Sequence, residues 1–425
     1  MLEKPKLFLN AKEFWFTVAV FLSLLLFRLY VIYGEYRVFI DKPFYFTHVE
    51  VLQQYKKEKK DYSYMVLRVY SPSLDFNFFT RTYRDEDYLN KTLRLKLFPS
   101  TKMSFWDYLG SSFISSKINS ISEKPEGWRS WLSVKIASQH SDSLVANFYQ
   151  AIFLATPLQK ELREEISKLG VSHLIALSGF HLAILWGVLF TLFRPLYRFF
   201  QQRYFPYRFD LIDVGFLVLI VLGWYVWFVE SPASLLRSYS MMVIGWMLLV
   251  LGVELLSFSF LTMVVLMLLL VFPKMILSLA FWFSVLGVFY IFLLLKRFSE
   301  LNKFYMMLII SFGIFILMSP IVHMIFPLTT LSQLYSPLLS FAFTLFYPLV
   351  ILLHLVGFGN LFDTALLDLF SLDSDTVAVE LDILYGVIYL IVSIGAIFSR
   401  WIFYLLFALA VGFMGWMFIG FWVLL

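Results

Sequence analysis

No cysteine occurs among the 425 residues, which excludes a disulfide framework, a thiol nucleophile and a cysteine metal cage, and removes redox chemistry as a guide to compartment. Charge is scarce as well: Asp, Glu, Lys and Arg make up only 15% of the chain, too few for an ordinary soluble fold. The sequence contains no GxxxxGKS or GxxxxGKT loop, so it carries no phosphate-cradling motor of its own. It also shows no internal repeat, a feature that would favour a secondary transporter. What is abundant is apolar: 60% of residues are hydrophobic and 20% aromatic, with a mean hydropathy of +0.78. Runs of about 20 residues, enough to cross a bilayer, recur from Phe14 to the C-terminus. The net charge of +5 is modest, and part of it belongs to loops that follow the positive-inside rule.

The first run, 14–33, follows Lys4, Lys6 and Lys12 and lacks a small-residue cleavage site. It reads as an uncleaved anchor with residues 1–13 in the cytoplasm. One polar island then interrupts the lipid pattern. Between residues 34 and 135, segments such as PFYFTHVEVLQQYKK, YSYMVLRVYS and TLRLKLFP alternate as short strands do, bounded by Asp, Pro, Ser and Asn. Their number and length suit a small, partly open barrel better than a sandwich. Lys56, Lys57, Lys59 and Lys60 cluster in a hairpin, and Arg68, Arg81, Arg84, Arg94 and Lys96 lie on or near strands carrying Tyr64, Tyr70, Phe79 and Tyr83. Cations for phosphate beside rings for bases are what a single-stranded nucleic-acid platform needs. The same composition also serves solubility and cross-strand packing. Residues 140–170 have helical spacing and a charged face, Glu161, Glu164 and Glu165 beside Lys160, Arg163 and Lys168, as an interfacial amphipathic helix would.

Two polar constellations sit inside apolar segments, where each polar group needs a partner, a hydrated cavity or a passing substrate. The first is VSHLIALSGFHLAIL. His173 and His181 are eight residues apart, about 80° around a helix and about 12 Å along it, which rules out a shared metal ion. Ser178 precedes His181 by one turn without a nearby acid, so a membrane-embedded serine hydrolase is a minor reading. Ser178-Gly179 better suits a helix break or a close backbone approach. The second constellation is VESPASLLRSYSMM, where Arg237, flanked by Ser234, Ser238 and Ser240, pairs with Glu230 or meets a phosphate. Arg194, Arg198, Arg203 and Arg208 mark one cytoplasmic connection, and Lys296, Arg297 and Lys303 a second, so the β island lies outside. Arg400 fits the cytoplasm only if both the 326–336 turn and the 360–382 loop lie outside, at opposite ends of one span. Either the 320–337 region is re-entrant or Arg400 is a poor marker.

HLIALSGFHLAIL resembles the signature of the ComEC family of competence proteins, and SPASLLRSYSMM and KELREEISKLG resemble its other recurring segments. The resemblance covers essentially the whole chain. It implies a polytopic α-helical protein of the inner membrane with a periplasmic, OB-like β-barrel domain over 34–135 and a multi-helix channel domain over 171–425, passing single-stranded DNA from periplasm to cytoplasm in natural transformation. It further implies a DNA path through His173, Ser178, Gly179, His181, Glu230, Ser234 and Arg237, and DNA contacts from Lys56, Lys57, Lys59, Lys60, Arg68, Arg81 and Arg84. The implied partners are a periplasmic DNA receptor, a separate nuclease and a cytoplasmic motor or strand-binding proteins, with homo-oligomerisation left open. Two departures stand out. PKMILSLAFWFSVLG lacks the acid, Gly and Gln of the family's third segment. Many members also end in a β-lactamase-like domain, whereas this chain ends in an apolar run without an HxHxDH cluster, so no nuclease activity, metal or cofactor is expected. The alternative from another class is a secondary transporter or flippase of a different anionic substrate.

Overall fold

The computed structural model describes residues 7–8, 10–59, 62–74, 76–89, 91–123, 127–251, 257–372 and 375–424. The chain divides into two compact units, one of Phe8–Trp128 with Thr262–Phe281, the other including Arg129–Leu261 and Trp282–Leu425. The first unit opens with α1 (Ala11–Asp41), 31 residues long. Only Val18, Leu25, Ile32 and Phe39 are buried along it. That single stripe at heptad spacing leaves the other apolar faces outward, as a lipid-facing helix requires.

The polar island folds as β1 (Tyr45–Lys59), β2 (Tyr62–Ser71), β3 (Phe76–Thr82), β4 (Lys91–Phe98), α2 (Phe105–Leu109), β5 (Ser112–Phe113) and β6 (Ser115–Glu123). These strands form one six-stranded sheet in the order β5-β3-β2-β1-β4-β6. Alternation decides its inner face: Val49, Leu67, Val69, Phe78, Leu93, Leu95 and Leu97 are completely buried. The expected barrel is not closed. Thr80 of β3 and Ser116 of β6 meet through their hydroxyls at 2.6 Å, but among the described residues no backbone ladder joins those strands. The two-residue β5 pairs in parallel with β3 while β6 pairs with β4. Closure would need continuous pairing around the whole sheet, which local alternation does not encode.

The second unit contains α3 (Trp128–Ala137), α4 (Ser143–Leu154), α5 (Lys160–Lys168), α6 (Ser172–Ile175), α7 (Gly179–Tyr204), α8 (Asp210–Phe228), α9 (Ala233–Val250) and the start of α10 (Phe258–Val271). Most of α11 (Leu279–Arg297) follows, then α12 (Lys303–His323), β7 (Leu328–Thr329), α13 (Ser336–Val356), α14 (Asp363–Phe370), β8 (Val377–Ala378), α15 (Ile383–Gly395) and α16 (Arg400–Leu424). Among the described residues, seven helices are long and apolar enough to cross a membrane, which fits a polytopic helical membrane protein. The stretch read as one amphipathic helix is two. Ala155, at φ 57°, ends α4, and α4 is a core helix whose Val145, Tyr149 and Ile152 are fully buried. The shorter α5 keeps the two-faced character, burying Leu162 and Ile166.

The β7–β8 pair brings the 326–336 and 360–382 segments together: Leu328 pairs with Ala378 and Thr329 with Val377. Between these two strands lie α13, a 3-10 turn at Gly359–Phe362, and α14. Lys296 donates to the Ile397 carbonyl at 3.1 Å and Arg297 to that of Ala396. The turn before Arg400 thus sits beside the basic α11–α12 turn.

Candidate functional site

The signature segment is broken where its sequence suggested. After the single turn of α6 the chain extends through Ala176 and Ser178, whose φ of −137° and ψ of 179° stop one helix and start the next. The Ser178 hydroxyl accepts from the Phe180 N–H at 3.3 Å, and the Ser178 N–H donates to His181 Nδ1 at 3.3 Å. This is a capping box in which an imidazole stands where Glu usually does. Because Nδ1 accepts, the ring hydrogen of the neutral imidazole is on Nε2, and that atom is buried without a hydrogen-bond partner among the described residues. Phe343 and Tyr347 of α13 meet the His181 ring edge-to-face, at 5.2 and 4.8 Å. His173 Nε2 lies 3.3 Å from the Ser340 hydroxyl, also on α13.

The second constellation packs onto the first. Ser234, in the first turn of α9, donates to the Leu177 carbonyl at 2.8 Å, which satisfies an acceptor left open by the helix break. A Cβ added to Gly179 would stand 3.0 Å from Ser238 Oγ and 3.1 Å from Ser238 Cβ, so α7 approaches α9 here more closely than most side chains allow. The N-terminal turns of both helices therefore converge, and Arg237, 6% exposed, projects from the same turn region of α9. Two positive helix ends and a guanidinium favour an anion. Glu230 and Ser231, at φ 65° and 50°, form the strained corner ahead of α9. Glu230 is ion-paired with Arg129, which also donates to the Leu154 carbonyl at 2.8 Å.

On the sheet, the basic residues separate into two groups. Lys56 Nζ sits 2.7 Å from Asp85, and that hydrogen bond and charge raise the Lys56 pKa. Lys57 lies next to it on the β1–β2 hairpin, paired across the ladder with Tyr64, and the Arg84 backbone N–H bonds Thr82 Oγ1 in the turn after β3. Lys60 and the side chain of Lys59 lie outside the described residues. Arg68 and Arg81 instead belong to the outer face of the sheet, over Phe79 at 6.0 Å and Tyr83 at 5.7 Å.

That face continues onto residues the sequence reading left out of the site. Arg94 lies 5.5 Å from the Phe46 ring, and Lys96 lies 4.0 Å from Phe44, 5.6 Å from Phe46 and 5.5 Å from Phe98. Lys117 of β6 faces Lys96 across the ladder. Phe44 and Phe46 are 43% and 50% exposed. Their two-residue spacing beside the buried Thr47 and Val49 was the available signal: large rings at the outward parity of a strand whose inward parity is already filled.

Comparison with curated proteins and with solved structures yields no match. The competence protein family, in contrast, matches residues 156–425, a stretch that begins just before α5 and takes in the broken α6–α7 segment and the α7–α9 approach. With well over half its length covered in this way, the chain belongs to the competence protein family, and its several apolar helices make it a multi-pass membrane protein with a role in DNA uptake in transformation.

Proposed function

We propose that the chain is an inner-membrane conduit that passes single-stranded DNA from periplasm to cytoplasm. The observation that carries this reading is the convergence of the α7 and α9 N-termini, with Arg237 buried on α9 one residue before Ser238. A polyanion crossing lipid needs fixed positive potential, and helix ends supply that more cheaply than lysines would. Arg237 meets each phosphate, while His173, Ser178 and His181 offer neutral hydrogen bonds. The sheet lies in the periplasm, where its outer face takes the incoming strand, bases on Phe44, Phe46 and Phe98 and phosphates on Arg94, Lys96, Arg68 and Arg81. In this reading the chain breaks no bond itself: a separate nuclease supplies the single strand and cytoplasmic proteins draw it in.

The test follows labelled DNA into the cytoplasm of a deletion strain complemented with wild type or with Arg237→Ala at equal expression. The proposal expects DNA held in the periplasm of the deletion strain and of the Arg237→Ala strain, and entry restored by wild type. Normal entry without the protein overturns the conduit and favours a transporter or flippase of another anion. Normal entry with Arg237→Ala overturns the phosphate path alone.

A further inference from the structure

Away from that path, the far end of α13 is tied to the α3–α4 turn by a buried chain of ionisable groups. His140, whose side chain is fully buried, points Nδ1 at Asp363, 2.9 Å from Oδ1 and 3.1 Å from Oδ2. Its Nε2 lies 3.0 Å from Nε2 of His354, and His354 Nδ1 lies 2.7 Å from the Val350 carbonyl. Tyr149 of α4 stacks on His140 at 4.6 Å and meets His354 at 4.5 Å. Phe153 closes on His354 edge-to-face at 5.0 Å. Gln139 clamps the neighbouring backbone, donating to the His354 carbonyl at 3.1 Å and accepting from the Gly359 N–H at 2.9 Å. Asp142 is engaged in capping α4, through the Leu144 and Val145 N–H groups.

Counting hydrogens decides the protonation state. A carbonyl only accepts, so His354 Nδ1 carries a hydrogen. The carboxylate contact needs a second hydrogen, and the nitrogen-to-nitrogen contact a third, since two bare lone pairs do not approach at hydrogen-bond distance. Two neutral imidazoles and a carboxylate bring only two. We propose that His140, His354 and Asp363 form a binding site for one additional proton, which fastens the α13–α14 segment to the α3–α4 turn. The proton resides on the imidazole pair, because imidazole is a stronger base than carboxylate. The triad is then neutral overall, which removes the cost of burying the Asp363 charge alone.

The test uses the full chain, isotopically labelled at histidine, in liposomes at about pH 8, where a solvent-exposed imidazole is neutral. Its nitrogen NMR spectrum should show, among the six histidines, one imidazolium with both ring nitrogens protonated, lost in Asp363→Asn. The wild-type spectrum decides by itself if the variant fails to fold: six rings each with one bare nitrogen overturn the proposal, and so does an imidazolium that persists in His140→Gln and His354→Gln. If the triad fastens the two elements, Asp363→Asn should also lower the unfolding midpoint of the full chain at neutral pH. An unchanged midpoint overturns the fastening role, whatever the outcome for DNA entry.

Discussion

Replacing Gly179 by alanine tests the α7–α9 approach on which the conduit rests. Gly179 does not belong to the positive-φ glycines, Gly170 and Gly357, so the effect is one of space alone. The new methyl would stand 3.0 Å from Ser238 Oγ and 3.1 Å from its Cβ. The hydroxyl can rotate away from its bond to the Ser234 carbonyl, but the Cβ is fixed to the α9 backbone. Overpacking of this kind costs about 1–3 kcal/mol, while alanine regains about 0.5–1 kcal/mol of helix preference over glycine. The expected balance is a loss of about 0–2.5 kcal/mol, read as the unfolding midpoint of the full chain in mixed micelles. Ser238→Gly alone costs about 0.5 kcal/mol of propensity. In the double variant it removes the clash, so a favourable coupling of about 1–3 kcal/mol is expected. A double variant with purely additive changes refutes the close approach.

Three further outcomes follow from the geometry. Phe46→Ala should weaken binding of a labelled single strand to the full chain, followed by fluorescence anisotropy, by about 1–3 kcal/mol, the worth of one stacked base. Lys56→Ala, whose ammonium already rests on Asp85, should change it far less, and the reverse ranking would discard the outer face. Arg129→Ala removes an ion-pair partner of Glu230 and the side-chain donor to the Leu154 carbonyl and should destabilise the chain by about 1–3 kcal/mol in the same unfolding assay, whereas an unchanged midpoint would mean that water replaces both contacts. Ser104 caps α2 and its hydrogen bonds hold the Asp107 pKa below its ordinary 3.8. A depressed carboxylate stabilises the fold above its unfolded value and loses that contribution as pH falls through the folded one. Acidification below about pH 4 should therefore loosen α2 in wild type, seen by hydrogen exchange, and Ser104→Ala should show the looser state already at neutral pH.

Much of this architecture was legible because hydrophobic periodicity is local. The long spans, the inner face of the sheet and the break at Ser178 all announce themselves within a dozen residues. What stayed hidden depends on partners distant in sequence. α14, DTALLDLF, is too short to announce itself by periodicity, and the β7–β8 pair joins Leu328 to Ala378 across the whole of α13 and α14. Barrel closure failed for the same reason, resting on how Phe113 and Ser115 choose their neighbours. At the site, His173, Ser178, Gly179, Ser234 and Arg237 were found through their cost in an apolar segment. Asp363 and His354 were not, because Asp363 follows a turn where acids are commonplace, and the imidazoles that give it meaning come from α13 and the α3–α4 turn.

The position of α13 links these features. Its Ser340 meets His173, its Phe343 and Tyr347 close over His181, and its far end carries His354. A strand that reaches His181 must therefore displace two aromatic rings held on one helix, and densely packed rings of that size do not yield one at a time. Helix α13 is anchored by β7 and the Ser336 bond to the Gly170 carbonyl at one end and by the triad at the other. The first anchor lies next to the signature segment and the second does not, so an outward swing of α13 about its Ser336 end would have to break the triad.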